Sequence, residues 1–156
     1  MNIAPRIDYR KASPGAARAM HALEKHVAAS TIEKRLYELV KIRASQINGC
    51  AFCLDMHTQD ARSMGESEQR IYALSAWRET PFFTPRERAA LAWTETLTLI
   101  ALEQRVPDDL FDSTREQFSE AEVVDLTVGI IAINGWNRMA IAFALPVGSY
   151  KPAVKA

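Results

Sequence analysis

The chain has 156 residues, 48% of them hydrophobic, and its 19 basic and 19 acidic side chains cancel to a formal net charge of zero. That length suits about one ordinary domain with a core of its own, and the balanced charge excludes a broad basic footprint for nucleic acid or an anionic membrane surface. Two cysteines are too few for the disulfide framework of a small secreted protein.

The opening stretch, MNIAPRIDYRKAS, has no apolar core of the kind a secretory leader needs, so a cytoplasmic location is expected. Residues 1–13 read as an extended N-terminal arm, residues 14–146 as one helical domain and residues 147–156 as a loosely held C-terminal tail. After Pro14-Gly15, Met20, Leu23 and Val27 recur at helical spacing and predict a first helix over Ala16–Ala29. Ser30-Thr31-Ile32-Glu33 has the form of a capping box that opens a second helix running to about Ile47, with Leu36, Leu39, Val40 and Ile42 as its apolar stripe. Asn48-Gly49 ends it. A third helix, from Cys50 to about Met64, stops at Gly65, where a left-handed cap is expected.

A short helix follows from Ser67 to about Trp77. Thr84-Pro85-Arg86-Glu87 combines a capping threonine, proline at the first helical position and glutamate at the third, and starts a helix carrying Leu91, Trp93, Leu97 and Ile100. Beyond Val106-Pro107-Asp108 a helix runs to about Gln117, and Ser119-Glu120-Ala121-Glu122 caps the last one, which extends to Ala144. Its first half is apolar nearly all round, as in a buried or subunit-interface helix, but it is too short and interrupted to span a bilayer. No period-two pattern persists, and the fold class is all-α. Trp77, Trp93 and Trp136 read as core or interface anchors, and His21 and His26 as surface residues.

The chemistry concentrates between Glu38 and His57. At about 100° per residue, Cys50, Cys53 and His57 fall within roughly 60° of one helix face. The helix start also places unsatisfied N–H groups beside the first thiol and favours its thiolate. A CxxC pair in this setting is redox-active, metal-binding or an inert buried pair. Two thiolates, His57 and Glu38 would complete a tetrahedral zinc shell, although structural zinc usually draws on two such knuckles and only one is present. For redox work, His57 is placed to take the proton of a buried thiol and Glu38 to orient the imidazole.

Glu38, Cys50, Cys53 and His57 at this spacing, with Ser45 and Asn48 between them, resemble the core motif of the alkylhydroperoxidase AhpD-like proteins in the carboxymuconolactone decarboxylase superfamily. The segments Phe83–Arg88 and Ile133–Arg138 resemble that family too, so the likeness covers most of residues 30–145. It implies a single-domain helical bundle that assembles as a homo-oligomer, often a trimer or hexamer, and a cofactor-free, metal-free peroxidase acting on hydroperoxides. It also implies Cys53 as the attacking residue, Cys50 as the more exposed resolving residue, and a lipoyl-bearing or thioredoxin-like dithiol protein as reductant.

This sequence departs from the better-known peroxidases by carrying Phe52 where they have histidine before the second cysteine. An aromatic there would line an apolar pocket for an organic hydroperoxide. Asn134, Asn137 and Arg138, polar in an apolar helix, are read as structural. Two other function classes fit the same residues: a decarboxylase-type lyase, which has no use for the cysteine pair, and a non-enzymatic thiol redox sensor.

Overall fold

Caps and stops in the sequence set the helix order in a computed structural model that describes residues 4–152. The helices are α1 (Tyr9–Ala12), α2 (Pro14–Ala28), α3 (Lys34–Asn48), α4 (Ala51–Ser63), α5 (Glu68–Ala73), a 3-10 turn (Leu74–Glu79), α6 (Pro85–Thr98), α7 (Ile100–Glu103), α8 (Asp108–Gln117) and α9 (Glu120–Ala142). No strand occurs among the described residues, and no helix is long and apolar enough to cross a membrane. The all-α expectation holds.

Thr84 with Glu87 and Ser119 with Glu122 both form the reciprocal capping boxes expected of them. Ser30 does not. Its hydroxyl donates to the Val27 carbonyl at 2.7 Å and accepts from the Ile32 N–H, while the Glu33 carboxylate pairs with Arg86 at 2.9 Å. With both capping groups engaged elsewhere, α3 begins only at Lys34. The helix expected to include Ile100 instead stops at Thr98, because Leu99 (φ −96°, ψ 11°) leaves the helical region before the single turn of α7.

Gly49, at φ 67°, reverses the chain between α3 and α4 in the left-handed region that a side chain would disfavour. The two helices therefore pack as an antiparallel hairpin, with Glu38 bonded to His57 near the far end and Ser45 level with the cysteines near the turn. Helix α3 is the centre of the bundle and packs against α4, α6 and α9. One apolar cluster joins Leu36, Val40, Trp93, Leu126 and Ile130, and a second joins Leu39, Ile42, Leu74, Trp77 and Leu91. A third holds Ala44, Cys50, Cys53, Ile133 and Ala140, which puts the cysteine pair inside the core. Burying such side chains stabilises the bundle by about 1.5–3 kcal/mol each.

Helix α9 is only partly buried in the single chain. Val123, Leu126, Ile130 and Ile133 face the core, whereas Val124 is 61% and Ile131 56% exposed. The N-terminal segment also differs from a free extended arm. Asp8 caps the helical turn α1, Tyr9 is buried against Trp136 and Phe143, and the Arg6 N–H donates to the Phe143 carbonyl at 2.8 Å. The segment docks on its own chain. In the tail, the Gly148 N–H donates to Asp55 and the Tyr150 hydroxyl to Asp60 at 2.7 Å, so this part is fastened to α4. Residues 1–3 of the expected arm and 153–156 of the expected tail lie outside the described residues.

Candidate active site

Cys50 is the N-cap of α4 rather than its first helical residue. Its extended backbone turns the sulfur back over the first turn, where Sγ accepts from the Cys53 N–H at 3.4 Å. Cys53, one turn on, brings its Sγ to 2.8 Å from that of Cys50, with both residues as free thiols. The expectation that Cys50 is the more exposed fails, since each residue is 1% exposed. Capping turns Cys50 inward, and the adjoining cavity opens on Cys53.

The two thiols behave as a unit. Donation from the Cys53 thiol lowers Cys50 to a pKa of about 7 against the cost of burial, helped by the Cys53 and Phe52 N–H groups and the Asn137 side chain. Cys53 is pushed up because it shares its proton with Cys50, because it is buried, and because a thiolate stands beside it; contacts to Asn137 and Ser45 oppose this. At neutral pH the pair is thus poised to hold one proton, with the negative charge favoured on the capping sulfur.

On the same hairpin, His57 Nδ1 lies 2.9 Å from Glu38 Oε2, and Lys41 Nζ lies 2.5 Å from Glu38 Oε1. All three residues are buried. Burial alone would raise the Glu38 carboxyl, but the His57 hydrogen bond and the Lys41 charge outweigh it and hold the pKa below its ordinary value. An ionised Glu38 makes His57 Nδ1 the donor and leaves Nε2 as the ring nitrogen for proton exchange. Glu38, His57 and Asp60 bring ligand-type atoms within 4.8 Å of one another, the grouping among the described residues that comes nearest to a cation site. The sulfurs fall outside it. Lys41 already sets an ammonium on Glu38, so the chain supplies the positive charge from its own side chain.

A cavity of about 230 Å³ leads to Cys53 and His57, walled by Tyr9, Phe52, Met56 and Trp136, with Arg10, His21, Glu24 and Asp60 also lining it. Phe52 takes the pocket-lining place expected of it. Trp136 packs on the core cluster that holds the cysteines and also walls this cavity, whereas Trp77 and Trp93 are buried in the core. His21 packs on the Trp136 ring at a centroid distance of 5.0 Å, and His26 pairs with Asp125 at 2.7 Å on the surface.

Sequence reasoning undervalued Asn137. It donates to Ser45 Oγ at 3.0 Å, accepts from Asn48 Nδ2 at 2.8 Å and touches the cysteine sulfurs, so one residue of α9 ties α3 to the reactive pair. Asn134 is structural, bonded to Asn48, Thr98 and the Ile130 carbonyl, and Arg138 is exposed on the turn after it. Lys41 was missed, although a lysine three residues after a glutamate on the same helix was a readable signal. Tyr9 had no signal beyond its aromaticity.

Known proteins resemble the chain in sequence and in fold. The chain is 50% identical over 137 residues to the uncharacterized protein YdfG of Bacillus subtilis (strain 168), covering 88% of this chain and 92% of that one. A solved structure of a protein of unknown function from Agrobacterium tumefaciens, provisionally assigned to AhpD antioxidant defence, is 49% identical with a TM-score of 0.86, covering 96% of this chain and 99% of the other. The debrominase Bmp8 shares the fold at 21% identity and a TM-score of 0.78, covering 89% and 74% respectively. The model of the carboxymuconolactone decarboxylase family matches residues 14–96, a span that includes Glu38, Cys50, Cys53 and His57. With that match and the AhpD-like structural relatives, the chain belongs to the carboxymuconolactone decarboxylase family, in its AhpD-like branch.

Proposed function

We propose that the protein is a thiol-dependent peroxidase that reduces hydroperoxides through Cys53 and Cys50. The observation that carries this reading is the 2.8 Å approach of the two free sulfurs beside a Glu38–His57 dyad, at the end of a cavity that reaches Cys53. In the first step, His57 takes the Cys53 proton and the thiolate attacks the terminal peroxide oxygen. An S–O bond forms, the O–O bond breaks, and the alkoxide leaves as an alcohol with the proton returned by His57. Cys53 is then a sulfenic acid. Cys50, as thiolate, attacks that sulfur; the S–S bond forms, and hydroxide leaves and is protonated to water. A dithiol partner, lipoyl-bearing or thioredoxin-like, reduces the disulfide by exchange and is itself oxidised.

The aromatic and thioether wall of the cavity favours an organic hydroperoxide over a small polar one. The same reading holds the working form to be a cytoplasmic homo-oligomer, a trimer or hexamer, for which the exposed Val124 and Ile131 of α9 offer an apolar face.

The test is to expose fully reduced protein to peroxide and count free thiols by mass spectrometry. Wild type is expected to lose both thiols to an internal disulfide, while Cys53→Ser loses neither at a comparable rate. Retention of both thiols in wild type would exclude the peroxidase. Decarboxylation of a muconolactone that survives replacement of both cysteines by serine would establish the lyase instead. Disulfide formation without steady-state turnover in the presence of a dithiol would leave the redox sensor.

A further inference from the structure

Lys41 has no part in the chemistry above, yet it is a buried ammonium, 8% exposed, held in a defined place. Its Nζ bonds Glu38 Oε1 at 2.5 Å and stands 4.5 Å from the centroid of the Tyr37 ring. Tyr37 is fixed in turn, its hydroxyl lying 3.3 Å from both a Glu24 carboxylate oxygen and the Gly129 carbonyl. Glu38 is thus shared between two donors on opposite oxygens, His57 on one and Lys41 on the other.

A carboxylate with only an imidazole beside it, out of water, favours the imidazolium. A histidine in that state cannot accept a proton from a neighbouring thiol. We propose that Lys41 is a positioning residue that acts through Glu38: its ammonium neutralises the buried carboxylate, so that the carboxylate orients His57 without forcing a second proton onto it. The proposal rests on the reading of His57 as the base for Cys53.

The other charges around the dyad do not do this work. On α4, Asp60 adds negative charge near His57 and accepts from Tyr150 of the C-terminal segment. On α2, Glu24 is negative and is separated from Lys41 by the Tyr37 ring. The Cys50–Cys53 pair contributes a further negative charge when it ionises. Each of these favours an imidazolium. Arg10 of α1 also lines the cavity but is exposed, where water screens it. Lys41 is therefore the one buried cation, among the described residues lining or contacting the dyad, that can offset them.

The test is a titration of the His57 ring nitrogens by NMR in reduced protein, which requires no turnover. In wild type, Nε2 is expected to carry no proton at pH 7.5 while Nδ1–H remains bonded to Glu38. In Lys41→Met and Lys41→Gln the titration midpoint should rise by at least one pH unit, roughly a tenfold change in the protonation equilibrium, and Lys41→Arg should restore the wild-type curve. An imidazolium in wild type at pH 7.5 would overturn the proposal even if the neutral variants fail to fold. So would neutral variants that fold and titrate like wild type. Peroxide-driven thiol loss, measured on the same samples, fails independently if the peroxidase reading is wrong.

Discussion

At the scale of single residues, the reactive pair is governed by how few protons it holds. Cys50 sits at a helix N-terminus, receives two backbone N–H groups and accepts from the Cys53 thiol, which together bring it to about 7. The thiolate fraction of the reduced protein, followed by its ultraviolet absorbance, should therefore rise with pH through about 7 and fall roughly tenfold for each unit below it. A profile that rises only above pH 8.5 would show that the cap does not stabilise the anion. The same shift has a consequence for stability. The folded thiol binds its proton less tightly than the unfolded one, so its contribution is complete above the unfolded value and is lost as pH falls through about 7. The raised Cys53 acts in the opposite sense at higher pH, once the unfolded thiol ionises and the folded one does not.

At the scale of elements, the helix hairpin α3–α4 was legible because its signals are local. Asn48-Gly49 marks the reversal, and the spacing of Cys50, Cys53 and His57 is a property of one helix. The capping box at Ser30 was misread for a complementary reason: a local pattern lost to Arg86, which comes from another helix and takes the Glu33 carboxylate. Asn137 and Trp136 were illegible as site residues, since nothing in the period of α9 says that its polar face meets the sulfurs of α4. The packing of α9 on α3 depends on Gly129, where a β-carbon would lie 2.6 Å from the Tyr37 ring. Gly129→Ala is expected to gain up to about 1 kcal/mol of helix propensity and lose about 1–3 kcal/mol to overpacking. The net result should be a lower melting temperature and a displaced Tyr37; a variant more stable than wild type would mean that the ring has room to move.

At the scale of the whole molecule, a chain of zero net charge carries exposed Val124 and Ile131 on its longest helix, with Ile100, Leu102 and Phe111 exposed elsewhere. Large apolar side chains grouped on one helix face mark association surfaces more often than isolated ones do. Ile131→Asp should shift the protein toward monomer in size-exclusion chromatography with light scattering; a wild-type chain that is itself a stable monomer would remove the oligomer from the proposed function. The first half of α9 reads as apolar nearly all round. What the pattern could not disclose is that half of it faces outward in the single chain, because a uniform apolar surface has no direction.

Part of the cavity wall comes from the two ends of the chain, and that bears on the order in which the site assembles. The hairpin bearing Cys50 and Cys53 is built from neighbouring residues and can form early, whereas the contacts that close it over are distant in sequence: Asn137 meets Ser45, and Arg6 reaches Ala142, 136 positions away. Contacts of such separation pay the larger loop-closure cost and form late. A chain emerging from the ribosome therefore presents both thiols to solvent until α9 is synthesised and docked. A truncated chain lacking α9 should lack the Asn137 and Trp136 contacts and leave both thiols open to solvent.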